Sequence, residues 1–345
     1  MAWAWKPFHV VGPSMEPCLT DGDWLLVSKQ TPQRDDLVVF REPDTGKYAV
    51  KRVAGVPGEA VQLVDGDLYL DGQVRQRRLG SVEDLVPMMD AVGEEVEAAM
   101  GLSKHGFTPS GERHWKLEGS GVAFLQRPPT ANYLLRGNLI QGQLPAQDLG
   151  LEVEFDLLAA SSELHLVLRK GQSTFFAVLS EQGSRLEVLQ QDPTLNDPLV
   201  LLEVEIPAGA SRGTAFFTLA DHVITFVLND EVVVEDLVYP APLPHQNSEL
   251  PLEFRKMEHA GVGGIGPLLV GRIRLGRDFL YRSSGTYGGA KALQLADGQY
   301  FLLGDNSPQS RDSRQYGPVP SERILGIVSS RAWPRGWTDR GWQVE

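Results

Sequence analysis

Hydrophobic and polar positions alternate with a period of two over long stretches of this chain. Leu151, Val153, Phe155 and Leu157 are separated by Glu152, Glu154 and Asp156, and Leu164, Leu166 and Leu168 repeat the pattern. Such alternation predicts strands with one buried face and one wet face. Residues 222–228 and 231–235 are joined by Asn229-Asp230, a pair suited to a two-residue hairpin turn. Gly271, between Leu269 and Ile273, marks a place of close packing. So many strands between about 133 and 275 predict a sandwich.

The two ends of the chain read as shorter strands. Residues 23–29, 36–41 and 48–55 are rich in β-branched and aromatic side chains and bounded by Gly, Pro and Asp. Residues 60–64 and 67–70 flank Asp65-Gly66, a second hairpin. Residues 300–303 and 324–331 add strands near the C-terminus. Only residues 81–100 break the pattern. Leu85, Met88, Met89, Val92, Val96 and Met100 recur at helical spacing, with Pro87 in the first turn and Gly101 as the stop. The class expected is mainly β. The domains expected are 1–78 with 281–345, a helical linker over 79–110, and a β-sandwich over 111–280.

Charge sharpens that division. The chain of 345 residues carries a formal net charge of −13. Residues 1–78 hold 10 Lys/Arg against 11 Asp/Glu and residues 281–345 hold 8 against 6, which leaves 14 against 28 for residues 79–280. The acidic surplus therefore lies in the middle, which speaks for a separately built insert and against nucleic-acid binding. Cys18 is the only cysteine, so no internal disulfide forms. The seven histidines are scattered, with no metal-ligand spacing, and no cofactor is expected. No apolar run reaches 18 residues, and no signal-peptide core fits ahead of Ser14.

Three polar blocks carry the chemistry. In Gly12-Pro13-Ser14-Met15-Glu16-Pro17 a Gly/Pro-shaped turn presents a serine hydroxyl, and the Ser14 N–H can face a developing oxyanion. Pro13 restricts its predecessor to extended backbone, so Gly12 is expected at negative φ and open to serine. In Tyr48-Ala49-Val50-Lys51-Arg52-Val53 a lysine stands in an apolar strand, sharing a face with Ala49 and Val53. Burial disfavours an ammonium. Lowering a lysine from about 10.4 to near neutrality takes ~3 pK units, roughly 4 kcal/mol. The neutral amine can then take a serine proton. The third block, residues 304–320, interleaves Asp and Arg with small hydrogen-bonding side chains. Singly, each block also fits a bland role: a common loop turn, an edge-strand lysine, a solvated loop.

Together, in this order, Gly-x-Ser-Met-x-Pro, Lys51-Arg52-Val53, Val56-Pro57-Gly58-Glu59 and Gly304-Asp305-Asn306-Ser307 with Ser310-Arg311-Asp312-Ser313-Arg314 resemble the signature boxes of type I signal peptidases. The resemblance spans about residues 8–78 and 296–330. It implies an antiparallel β catalytic core, a serine–lysine dyad of Ser14 and Lys51, and Ser310 as the residue that orients the lysine. It also implies a structural ion pair of Asp312 with Arg314, and a second of Asp305 with Arg52. Many relatives have a serine two places before the nucleophile to complete the oxyanion hole. Gly12 stands at that oxyanion-hole position beside Ser14 and offers no hydroxyl, which leaves the second donor open to a backbone N–H, and Cys18 replaces a usual threonine. The middle segment resembles a concanavalin or laminin-G sandwich, which suggests a glycan or protein ligand.

The family cleaves signal-peptide-bearing preproteins after small residues in the Ala-x-Ala manner, at the extracytoplasmic face of a membrane. Peripheral membrane contact would fall to Trp3, Trp5 and Phe8, and to Trp333, Trp337 and Trp342 interleaved with Arg331, Arg335 and Arg340. Packing against the core is the alternative for these aromatics. Two other classes are weaker. An idle scaffold has no reason to keep Ser14, Lys51 and Ser310 together, and a self-cleaving repressor needs a DNA-binding domain ahead of the serine.

Overall fold

The computed structural model describes residues 6–64, 66–77, 79–126, 133–135, 138–140, 148–193, 196–239, 259–279, 281–283, 285–289, 291–332 and 342–344. Strands dominate it, in accord with the mainly β class. Its contacts divide into two units: Met1–Arg75 with Asn132–Gly142 and Phe279–Glu345, and Gln76–Ala131 with Gln143–Asp278.

The first unit holds an eight-stranded sheet in the order 319–320, 299–303, 48–55, 37–41, 324–332, 24–28, 6–10 and 342–344. Lys6–Val10 and Trp342–Val344 run parallel and the other neighbours antiparallel. Tyr48–Gly55 is covered on both faces. Val50 packs with Phe8, Met15, Leu25 and Val39, while Ala49 and Val53 pack with Val38, Phe40 and Leu302. Each fully buried valine contributes about 1.5–3 kcal/mol. A slip of one residue would turn all of them over and exchange Lys51 with Arg52. The register, Val38 opposite Lys51 and Leu37 opposite Arg52, is therefore firmly set.

A four-stranded sheet of 293–294, 60–64, 67–70 and 73–74 and a two-stranded one of Tyr133–Leu135 and Asn138–Ile140 also belong to this unit. Gly66 closes its hairpin at φ +107°; Asp65 lies outside the described residues. Phe8 is 1% exposed and meets the Tyr48 ring edge-on at 5.7 Å, so it belongs to the core and offers nothing to a membrane. Trp3, Trp5, Trp333, Trp337, Arg335 and Arg340 lie outside the described residues. Arg331 and Trp342 take backbone positions in the strands 324–332 and 342–344.

The second unit is a two-sheet sandwich. One sheet runs 231–238, 223–228, 212–220, 149–157, 268–277, 114–117 and 107–110; the other runs 120–124, 260–265, 163–170, 173–180, 185–191 and 199–205. Leu151, Val153 and Phe155 of the first sheet share one core with Leu164, Leu166 and Phe175 of the second. The alternation along 149–157 is therefore what divides core from solvent.

The helical linker expected over residues 79–110 does not form. A single 3-10 turn, Val82–Asp84, precedes a strand, Val86–Ala91, that pairs with Leu268–Arg277 and sets Ala91 opposite Ile273. α-Helix is confined to Glu94–Met100, ended by Gly101 at φ +65°, and a second 3-10 turn, Leu102–His105, follows. Pro87 is thus a strand residue. Val86–Ala91 pairs only with Leu268–Arg277, so it is an edge, where a missing N–H is tolerated.

Candidate active site

Ser14 sits in a loop closed at its base. The Val10 N–H donates to Asp23 O at 2.8 Å and the Gly22 N–H to Val10 O at 3.0 Å. Met15, fully buried, and Leu19, 3% exposed, anchor the loop in the core. A tight turn follows the serine's predecessor: the Glu16 N–H donates to Pro13 O at 3.1 Å.

Gly12 does not take the negative φ expected of it. Its φ is +97°, and its N–H donates to Asp21 Oδ1 at 2.8 Å. The local preference of a residue before proline gives way to loop closure, which glycine permits. With its N–H engaged and no side chain, Gly12 supplies no donor to an oxyanion.

The register of Tyr48–Gly55 delivers Lys51, 2% exposed, to this loop. Its Nζ lies 2.7 Å from Ser14 Oγ and donates to Val50 O at 2.9 Å. Candidate nucleophile and candidate base are thus in direct contact, with the amine shut away from solvent.

The loop after Gln299–Leu303 packs against both. Asn306, missed as a functional residue from sequence, donates its N–H to Ser14 O at 3.0 Å and its Nδ2–H to Pro13 O at 2.9 Å. Gly304 is glycine for want of space: a Cβ there would lie 2.1 Å from Ser310 Oγ and 2.7 Å from Ser14 O. Both were visible only as members of the Gly-Asp-Asn box. Asp21 carried no sequence signal at all.

Beneath the site, Asp312 is fully buried and Arg314 is 1% exposed. Arg314 grips the carboxylate with Nε to Oδ1 and Nη2 to Oδ2, both at 2.8 Å. The same carboxylate accepts from Ser310 Oγ at 2.7 Å and from the Gly304 N–H at 3.0 Å. Asp312 therefore ties the two ends of the loop together and fixes the Ser310 hydroxyl.

Arg52, facing away from Lys51, forms a bidentate pair with Asp305 at 2.8 and 2.6 Å. Burial pulls its pKa down, but the Asp305 charge and hydrogen bonds outweigh that and leave it above the usual arginine value. Its Nη2 also reaches Cys18 Sγ at 3.4 Å. Although Cys18 is exposed as a residue, desolvation of the thiol and then the Asp305 charge push its pKa up, which leaves it a poor nucleophile.

Comparison with known proteins places these residues in a family context. The family model described as signal peptidase, peptidase S26, matches residues 1–97 and 224–333. Signal peptidase I of Streptococcus pneumoniae serotype 4 is 43% identical over 68 residues, which are 19% of this chain and 33% of that protein. Signal peptidase I of Pseudomonas fluorescens is 29% identical over 160 residues, covering 39% of this chain and 51% of that protein. The chain thus spans about a third to a half of the length of these curated relatives. Among solved structures, the Caenorhabditis elegans galectin LEC-6 aligns with 49% of this chain and 100% of its own, at a TM-score of 0.30 and 10% identity.

Proposed function

The chain belongs to the peptidase S26 signal peptidase family, and on that premise we propose that it is a serine endopeptidase whose nucleophile is Ser14 and whose general base is Lys51. The observation that carries this reading is the 2.7 Å contact between Lys51 Nζ and Ser14 Oγ, made by an amine 2% exposed. A lysine so enclosed loses hydration of its charged form, which favours the neutral base.

The reaction follows from the contact. The neutral amine takes the Ser14 proton as Oγ attacks the scissile carbonyl carbon, and negative charge gathers on the carbonyl oxygen. The Ser14 N–H stabilises that charge. The Lys51 ammonium returns the proton to the departing amine, leaving an ester on Ser14. Water, deprotonated by the same amine, then attacks the ester and frees the enzyme. By the family resemblance Ser310, whose hydroxyl donates to Asp312 at 2.7 Å, is the residue that orients the lysine amine.

By its family, the substrates are signal-peptide-bearing preproteins cut after small residues at Ala-x-Ala sites, on the extracytoplasmic side of a membrane. Peripheral membrane contact is part of the proposal; no helix among the described residues is long and apolar enough to cross a bilayer. The concanavalin or laminin-G likeness of the insert, with a glycan or protein as its ligand, belongs to it as well. The test is to quench a reaction with an Ala-x-Ala peptide and map the adduct by mass spectrometry. An acyl group on Ser14 is expected; an adduct elsewhere, or turnover that persists in Ser14→Ala, overturns the assignment.

A further inference from the structure

We propose that Asn306 is a positioning residue for the transition state, holding the Pro13 carbonyl so that the Ser14 N–H is aimed at the oxyanion. The proposal rests on the peptidase reading above and deepens it.

A trans peptide is a rigid plane whose C=O and following N–H point in opposite directions. Whatever fixes the Pro13 oxygen therefore fixes the Ser14 N–H. Asn306, 3% exposed, does this with its side-chain amide, Nδ2 to Pro13 O at 2.9 Å. Its own backbone N–H holds the next plane through Ser14 O at 3.0 Å, which sets the direction of the Met15 N–H. Asn306 thus holds two successive peptide planes of the turn, sharing the Pro13 oxygen with the Glu16 N–H at 3.1 Å. Among the described residues, neither the Ser14 N–H nor the Met15 N–H has an acceptor. They are donors held in place with nothing to donate to.

This matters more here because the side-chain route is closed. Gly12 has no hydroxyl and its N–H is spent on Asp21. Stabilisation of the oxyanion then falls to backbone N–H groups, whose worth depends on being preorganised. The approach that lets Asn306 reach the turn depends on Gly304, where any Cβ would press on Ser14 O.

Asn306→Ala and Asn306→Asp test the proposal. The aspartate is isosteric but sets an acceptor against the Pro13 oxygen, so it separates hydrogen bonding from packing. The backbone donor survives in both. Misaimed donors should lower kcat roughly tenfold to a hundredfold, with aspartate at least as impaired as alanine. KM should change little, because ground-state binding does not use the oxyanion site. Affinity for a peptide boronate should fall in step with kcat, and the pH profile should keep its midpoint, since Lys51 is untouched. A role confined to folding predicts the reverse: lowered thermal stability, with boronate affinity and kcat per folded enzyme unchanged. That result overturns the proposal.

The Ser14 amide resonance, assigned in 15N-serine-labelled protein by its loss in Ser14→Ala, gives a readout independent of activity. It should shift in both variants, and an unmoved resonance contradicts the proposal. If the wild-type chain cleaves no peptide, the peptidase reading fails, while the resonance still decides whether Asn306 positions the turn.

Discussion

At Gly12 the space beside the backbone is open, since a Cβ would meet no heavy atom within 4 Å. What forbids a side chain is the backbone itself, at φ +97°. A non-glycine residue there stores about 1–3 kcal/mol of strain. Restoring the serine common among relatives should therefore not help. Gly12→Ser and Gly12→Ala are both expected to lower kcat and thermal stability by similar amounts, measured by steady-state kinetics and thermal unfolding. A serine variant faster than wild type would show that the turn relaxes to admit the hydroxyl.

The same position shows where sequence reasoning loses its hold. The rule that a residue before proline is extended is local, whereas the Gly12 conformation answers to the hydrogen bond its N–H donates to Asp21, nine residues away. Ser14 and Lys51 were legible because their chemistry is unusual for their setting, a serine in a constrained turn and a lysine in an apolar strand. Asn306 was not, because an asparagine in a polar loop is ordinary until the carbonyls it holds are seen.

Among the elements, the loop 304–314 depends on one carboxylate. Asp312, fully buried beside the equally enclosed Arg314, also joins Ser310 and the Gly304 N–H. Removing one partner of such a pair leaves an uncompensated charge and costs roughly 3–5 kcal/mol. Asp312→Ala should lose stability on that scale in chemical denaturation and lose activity with it. A loss below about 1 kcal/mol would place the pair among surface ion pairs in its worth.

Strands with one wet face, such as 149–157, were readable from alternation alone. The strand Val86–Ala91 was not. Its mixed burial at a sheet edge leaves no clean period of two. Met88 and Met89, both partly buried, then fall into apparent helical register with the true helix that follows. Pairing with Leu268–Arg277, nearly two hundred residues on, decides its conformation.

For the whole molecule, that strand moves the limits of the insert. Val96, Met100, Leu102 and Phe107 lie in the sandwich core, and residues 86–91 and 107–110 belong to its sheet. We therefore expect a fragment of residues 76–278 to fold as a soluble β protein with a cooperative melt. A fragment of 110–280 should not, because it strips those core residues and uncovers the edge of Leu268–Arg277. Circular dichroism and thermal melts of the two fragments check this. Equal stability would mean that the N-terminal segment only decorates the sandwich.

The proposed catalytic residues come from three segments of the first unit: Ser14 from the loop before 24–28, Lys51 from Tyr48–Gly55, and the 304–314 loop after Gln299–Leu303. The account stands on the contact between the first two. The most direct measurement is cleavage of an Ala-x-Ala peptide by wild type, Ser14→Ala and Lys51→Met, each verified as folded by its thermal melt. Both variants should fall to background while their melts match wild type, because one lacks the attacking oxygen and the other the base that activates it. Full cleavage by either folded variant would contradict the serine–lysine mechanism.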